Sequence, residues 1–529
     1  MGHFNALARL TEHYGAFDGL AGGSSSTITM FLYESMLQSP GLHDCGGQAC
    51  TPEQVGVRLS FLLKSMWGYI HALSGTPEAR TLFDLIGTVQ KHQAKLKAGG
   101  LKALAADASP AEALAMREKL KAVLHSPELH DLANPEYLLL LEPESPELRA
   151  QVEPEFLAAL GELTPARKIF LLNEAYVGLK SFGTFKATDR KILFRPGLIS
   201  FAALARKIGR IANFYAGRGF TEAEAAELKA SLDACAEPSR DQAWSEIQAG
   251  NSACAARVET LMASYRGRIL ALEHAGQAPS FRSRELDRVG DQAHVLVSAA
   301  ILEKPATAKF KAGLARYLRG EDPAKFDLNI FGDLKFGYWG HESDIARVSK
   351  LGDLYPDYRS RHALGLGPLT WLEAIRYSPA EPGLSRFNFV AGSDGLMSGA
   401  GWSDLSPVQA LRSLGCENVT YVTRIGVDAQ FAQDVATSLG MKAAERKAIY
   451  DIANPASSYA VAVREANAVW CTNWDIYTPQ TLGGLNMDSY NARLELVKPP
   501  APAPFRPYAR TLPATHLGCG GRVATFDEP

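Results

Sequence analysis

The sequence predicts an α/β protein with a mainly parallel sheet, divided in sequence by a large helical insertion. Three observations carry this prediction. Near the start, the short apolar segment FDGLAGG leads directly into a strongly helical stretch. From about Thr51 to Arg288, Ala, Leu, Glu and Lys recur at helical period. From about Asp291 onward, continuous apolar runs alternate with helical stretches, the pattern of strands joined by crossover helices.

The elements follow in order. HFNALARLTEHYG places apolar residues at helical spacing and stops at Gly15. FDGLAGG reads as a short strand with glycines at its end, and STITMFLYESMLQSP as a helix closing at Pro40. In the middle region EALAMREKLKAVLHSPELHDL and EAEAAELKASLDACAE are typical helical stretches. The Ser-Pro and Thr-Pro steps in GTPEAR, ASPAEA, HSPELH and LTPARK suit helix starts, because proline is tolerated in the first turn. RKILFRPGLISF is a strand-like interruption, and no fixed-period repeat argues for a solenoid. AHVLVSAAIL then fits a strand buried on both faces. LSRFNFVAGSDG and ENVTYVTRIG read as further strands, with helices at PVQALRSLG and FAQDVATSLGMKAAERKAIYDIA. The tail after Val497 is proline-rich and expected to be extended. The expected division is 1–50 as the first part of the core and 51–288 as a helical insertion or cap. Residues 289–497 form the second part of the core, followed by the tail at 498–529.

The chain of 529 residues is 46% hydrophobic and 21% charged with a net charge of −2, so it can bury a large core. No basic stripe with interleaved aromatics is present, which argues against a nucleic-acid partner. No apolar run approaches the roughly 18 residues that a membrane span requires, and the first residues are amphipathic rather than signal-like. Of seven cysteines, Cys45 and Cys50 flank GGQA, and Cys235 and Cys254 flank a short polar stretch. Such pairs fit either small disulfide loops in an oxidising compartment or reduced, buried thiols. Cys416 precedes an expected strand and is assigned to the core.

Gly22-Gly23-Ser24-Ser25-Ser26 admits three readings. A phosphate-binding loop needs a lysine before its Ser/Thr, and none is there. A plain linker does not fit a segment entered by a strand and left by a helix. The third reading is a nucleophile elbow, in which a serine occupies a strained strand-to-helix turn and needs small neighbours. The helix that follows would favour negative charge developing on an attacked carbonyl.

On these residues the chain resembles the patatin-like phospholipases, whose nucleophile segment reads approximately F-D-x-x-x-G-T-S-x-G-x-x-x-A. The resemblance makes Ser24 the nucleophile, preceded by Gly22 and Gly23. Ser26 stands where the family usually has glycine, and Thr27 where it has glycine or alanine. A second stretch, TWLEAIRYSPAEPGL, is similar to the family's W-x-A-x-x-A-S-x-A-x-P, which precedes its catalytic aspartate. Asp394-Gly395 then takes the place of the Asp-Gly motif, with Leu396 where a second small residue is usual. Further on, Asp404 lies near the family's asparagine position and Pro407 at its proline. Counting back from Pro407 would instead place Ser398-Gly399-Ala400 there. Asp394 is preferred because it needs only a short insertion. At the front, the family's glycine-rich oxyanion loop has one counterpart, Gly2, with Met1 where a basic residue is usual. The Ser25 N–H remains as an oxyanion donor, and losing one such donor typically slows turnover about 10²–10³-fold.

The resemblance implies a three-layer α/β/α core and hydrolysis of lipid acyl esters, of phospholipase A or lysophospholipase type. It implies a Ser24–Asp394 dyad working through an acyl-enzyme, without metal or organic cofactor. A nearby carboxylate can take the hydroxyl proton directly, so His43, His294 and His341 are expected as surface or satisfied core residues. Lipid or phospholipid is the expected substrate, with peripheral membrane contact through an apolar insertion. A secreted, periplasmic or membrane-peripheral setting is favoured over the cytoplasm. A second reading, a catalytically impaired lipid-binding or scaffold protein on the same fold, draws on the front loop and on Ser26 and Leu396. A third, a helical interaction protein, explains the middle of the chain but neither motif-bearing end.

Overall fold

A computed structural model of the chain describes residues 2–60, most of 134–168, 287–326, 334–350, 363–379, 406–424 and 458–472. It adds strand pieces at 388–389, 396–398 and 494–498 and a few single positions. The chain begins with helix α1 (Gly2–Tyr14), which ends as expected at Gly15, a residue at φ 89° that an L side chain adopts only with strain. Strand β1 (Gly19–Gly22) follows, and then helix α2 (Ser26–Leu37). Nine of the residues of α2 from Thr27 to Met36 are buried, so its apolar stretch reflects a helix enclosed on all sides rather than one facing solvent.

The second half of the core enters with β2 (His294–Leu302), the AHVLVSAAIL run. β2 pairs in parallel with β1, Gly19 opposite His294 and Gly22 opposite Val297, so segments 270 and more residues apart share one sheet. On the other side of β2 lies β3 (Leu334–Trp339), followed by β4 (Ala363–Gly367) in parallel with β3. Two short strands, β5 (Asn388–Phe389) and β6 (Leu396–Ser398), complete the six-stranded sheet, with β6 against the far end of β2.

The sheet is mixed rather than mainly parallel. β2 is antiparallel to both β3 and β6, and β5 is antiparallel to β6. The reason lies in the connection after β2. β2 ends at Leu302 and β3 starts at Leu334 directly opposite it, so the connection that contains helix 304–318 begins and ends at the same end of the strand pair. β3 and β4 were not apparent in the sequence, because LKFGYW and ALGLG carry glycines and a lysine, which weaken any strand signal.

Alternate residues of the sheet face different helices. Ala21, Leu296 and Tyr338 pack with Ile345 and Val348 of helix 342–348 and with Ala410 and Leu414 around helix 408–413. Trp339, the next residue, turns the other way, its ring centroid 6.0 Å from that of Tyr377. ENVTYVTRIG does form a strand (Thr420–Arg424), but it belongs to a separate three-stranded sheet with Ala468–Thr472 and Leu494–Lys498. Leu411 and Cys416 touch both core clusters and join this unit to the first sheet.

Among the described residues of the insertion, the regular elements are helices. They include residues 52–60, Pro135–Leu141, Pro146–Arg149 and Pro154–Glu162. At LTPARK the Thr164 hydroxyl accepts from the Arg167 N–H, the expected cap, while the other three quoted proline steps lie outside the described residues. From RKILFRPGLISF, Phe194 is buried against Phe310, Tyr317 and Phe326. Cys45 and Cys50 form a disulfide around an exposed loop, whereas Cys235, Cys254, the 425–457 helix expectation and the tail lie outside the described residues. Among the described residues no helix is long and apolar enough to cross a membrane.

The two motif-bearing segments are joined by Glu34 of α2, which is 1% exposed. Its carboxylate accepts from the N–H groups of Gly290 (3.3 Å), Gln292 (2.9 Å) and Ala293 (3.2 Å), and from Trp371 Nε1 (2.7 Å). Burial pushes this carboxyl above its ordinary range, and the donors oppose that shift. Glu34→Gln keeps one acceptor oxygen of two and introduces an amide that has only donors around it. Each orphaned buried donor costs about 1–3 kcal/mol, so thermal denaturation should show a fall in melting temperature of several degrees or more.

Candidate active site

Ser24 lies two residues past the end of β1 and two before the start of α2. Among the described residues it is the one non-glycine with positive φ, at 54°. A serine pays about 1–3 kcal/mol to stay in that left-handed region, a form of strain that concentrates at functional turns. The GGSSS run is therefore a strand-to-helix turn, with neither the geometry of a linker nor the lysine of a phosphate loop.

The small neighbours have identifiable reasons. A Cβ added to buried Gly22 would lie 2.5 Å from Ser26 Oγ, so a side chain there would displace the Ser26 hydroxyl from its place in the turn. Ser26, where the resemblance has glycine, turns its hydroxyl back to donate to the Gly23 carbonyl (2.7 Å). The turn is closed further by Ser26 N–H to Gly23 O (3.2 Å) and Thr27 N–H to Ser24 O (3.0 Å). Ser25 is exposed, and its N–H enters no hydrogen bond among the described residues. No acidic side chain occupies the first turn of α2, so nothing there offsets the positive end of the helix. Gly2, the expected counterpart of the oxyanion loop, is the first residue of α1.

The second motif folds directly onto this turn. TWLEAIRYSP forms helix Trp371–Tyr377, opened by a capping box between Thr370 and Glu373. Its Trp371 packs on Phe31 of α2, ring centroids 5.5 Å apart, besides reaching Glu34. Ser378, at its end, is fully buried and accepts a hydrogen bond from the Ser24 N–H (2.9 Å). The sequence reading singled out neither Glu34 nor Ser378. The only available signal was the position of Ser378 at the serine of the second motif.

Asp394 and Gly395 lie outside the described residues. The strand that begins two residues later, β6, borders β2 at Ala300–Leu302, on the edge that β1 occupies at His294–Val297. Strand β6 and the serine turn thus adjoin the same edge of β2, with the Ser398 end of β6 toward the turn and the Leu396 end away from it. Ser398, from the alternative alignment, is the β6 residue paired with Ala300.

Three described histidines, His294, His341 and His43, have other duties. His294 Nδ1 sits 3.0 Å from both oxygens of buried Asp344, at the start of β2. It pairs with Gly19, three residues and roughly 10 Å of strand before the end of β1, at the opposite end of β1 from Ser24. His341 caps helix 342–348 and His43 contacts the Leu37 carbonyl. Cys416 lies beside Gly19 at that same far end, and burial, Asp18 and Asp344 push its thiol up, outweighing Arg412. Among the described residues no cluster of His, Cys, Asp or Glu could hold a metal ion.

Compared with protein-family models, curated proteins and solved structures, the chain matches none.

The strain at position 24 predicts the effect of two substitutions. Ser24→Gly should raise the unfolding free energy by up to about 1–2 kcal/mol, since glycine adopts this conformation without the Cβ penalty. Ser24→Val should lower it, and chemical denaturation of the three proteins checks the order.

Proposed function

We propose that this chain is a patatin-like serine hydrolase that cleaves acyl esters of lipids, of phospholipase A or lysophospholipase type. The observation that carries the reading is the left-handed Ser24, set between a strand and a buried helix, with the TWLEAIRYSP segment folded onto it. Helices against both faces of the sheet support a three-layer α/β/α core.

In this reading Ser24 Oγ attacks the acyl carbonyl while Asp394 accepts its proton. The oxyanion of the tetrahedral intermediate meets the Ser25 N–H and the positive end of α2. As the intermediate collapses, Asp394 returns the proton to the leaving alcohol, and the acyl group stays on Ser24. Water, deprotonated by Asp394, then releases the fatty acid. No metal or organic cofactor takes part, and lipid is met at a membrane surface without a span.

One observation favours the rival, a lipid-binding or scaffold protein on the same fold. Leu396 pairs with Leu302 in the sheet ladder, where the resemblance has a small residue in a tight Asp-Gly turn. Active-site labelling separates the two. A fluorophosphonate probe should modify the Ser24 peptide, Ser24→Ala should abolish the adduct, and release of fatty acid from phosphatidylcholine micelles should fall to background. Asp394→Asn should slow labelling by about 10²–10⁴-fold, the usual worth of a general base, with Ser398→Ala near wild type. A folded wild-type chain that takes no label would favour the rival.

A further inference from the structure

β1 leaves the edge of β2 after Val297, and β6 takes up that edge only at Ala300. Between them, among the described residues, Ser298 and Ala299 have no strand neighbour on this side, and the Ser24 turn stands over the gap. Ser378 fills it. Its Oγ accepts from the Ser24 N–H (2.9 Å) and donates to the Ser298 carbonyl (2.9 Å), so one hydroxyl replaces the strand residue missing from the edge. Ser298 adds a second tie, its own hydroxyl donating to the Gly22 carbonyl (3.3 Å). The peptide groups on either side of Gly23 are thus both held by serine hydroxyls from elsewhere in the chain.

We infer that Ser378 is a positioning residue for Ser24, holding the amide of the reactive serine so that its left-handed backbone and the placement of its hydroxyl persist through the reaction. This rests on the reading of Ser24 as the nucleophile. The geometry also assigns the two amides different duties: that of Ser24 is committed to Ser378, which leaves that of Ser25 for the oxyanion. An alanine at 378 supplies neither the acceptor nor the donor, whereas threonine keeps both. A misplacement of about 1 Å in a reacting group can cost 10²-fold in rate.

Ser378→Ala and Ser378→Thr, each checked for cooperative melting, are compared with wild type in the rate of fluorophosphonate labelling at Ser24. Turnover of a soluble p-nitrophenyl ester is measured alongside. The Ala variant should label about 10–100-fold more slowly, with kcat reduced by the same factor and KM within about twofold, and Thr should recover most of the loss. An Ala variant labelling at the wild-type rate overturns the proposal, as does a folded Thr variant no faster than Ala. Hydrogen exchange on the wild-type chain serves where a variant fails to fold: the Ser24 amide should be protected and that of Ser25 not. Free exchange at Ser24 overturns the brace itself. A protected Ser24 amide in a wild-type chain that takes no label overturns the nucleophile reading, and the positioning role with it.

Discussion

A single buried carboxylate holds together the parts of this chain that lie farthest apart in sequence. Glu34 stands on the helix that follows the serine turn, and its four N–H donors come from the 290–293 approach to β2 and from Trp371. A charge taken out of water is tolerated only where such donors replace its hydration. The carboxylate therefore fixes where α2 sits relative to β2 and the 371–377 helix. With α2 fixed through Glu34, the turn at its N-terminal end lies over the edge of β2 where β1 stops.

The mixed character of the sheet matters to that placement. Had β1 continued along β2, Ser298 would have found an ordinary ladder partner and the chain would have had no reason to turn. Because β1 ends at Gly22 and β6 ends opposite Ala300, the edge is open over two residues among those described, and the serine turn and Ser378 occupy it together. Strain at Ser24 is thus balanced by hydrogen bonds within the turn and from two other segments, β2 and the end of the 371–377 helix. The His294–Asp344 pair and Cys416 lie at the other end of β1, where they bind helices 342–348 and 408–413 to the sheet and are remote from the turn.

Much of this was legible in the sequence because it is local. FDGLAGG, STITMFLYESML, AHVLVSAAIL and PVQALRSLG announced a strand or helix by apolar pattern and by their stops, and each forms that element. Glycines on one side of Ser24 and a helix on the other marked the turn. β3 and β4 were hidden, since their glycines are acceptable only when neighbouring strands and helices cover them. Antiparallel pairing on both sides of β2 was hidden too, because strand direction depends on where a connection returns and not on the strand's own residues.

By itself, then, the sequence determined the strand–serine–helix turn at Ser24, the neighbouring helices and strands with a clear apolar pattern, and the resemblance that links the turn to TWLEAIRYSP. These depend on backbone propensities and small-residue spacing, which act over a few residues. Only the tertiary structure decided that the Glu34 carboxylate would gather four distant donors and that Ser378 would hold the Ser24 amide. Glutamate in a helix reads as a solvated side chain and serine after a helix as a simple stop. Their roles arise from what the folded chain brings within 3.3 Å of them across more than 250 residues.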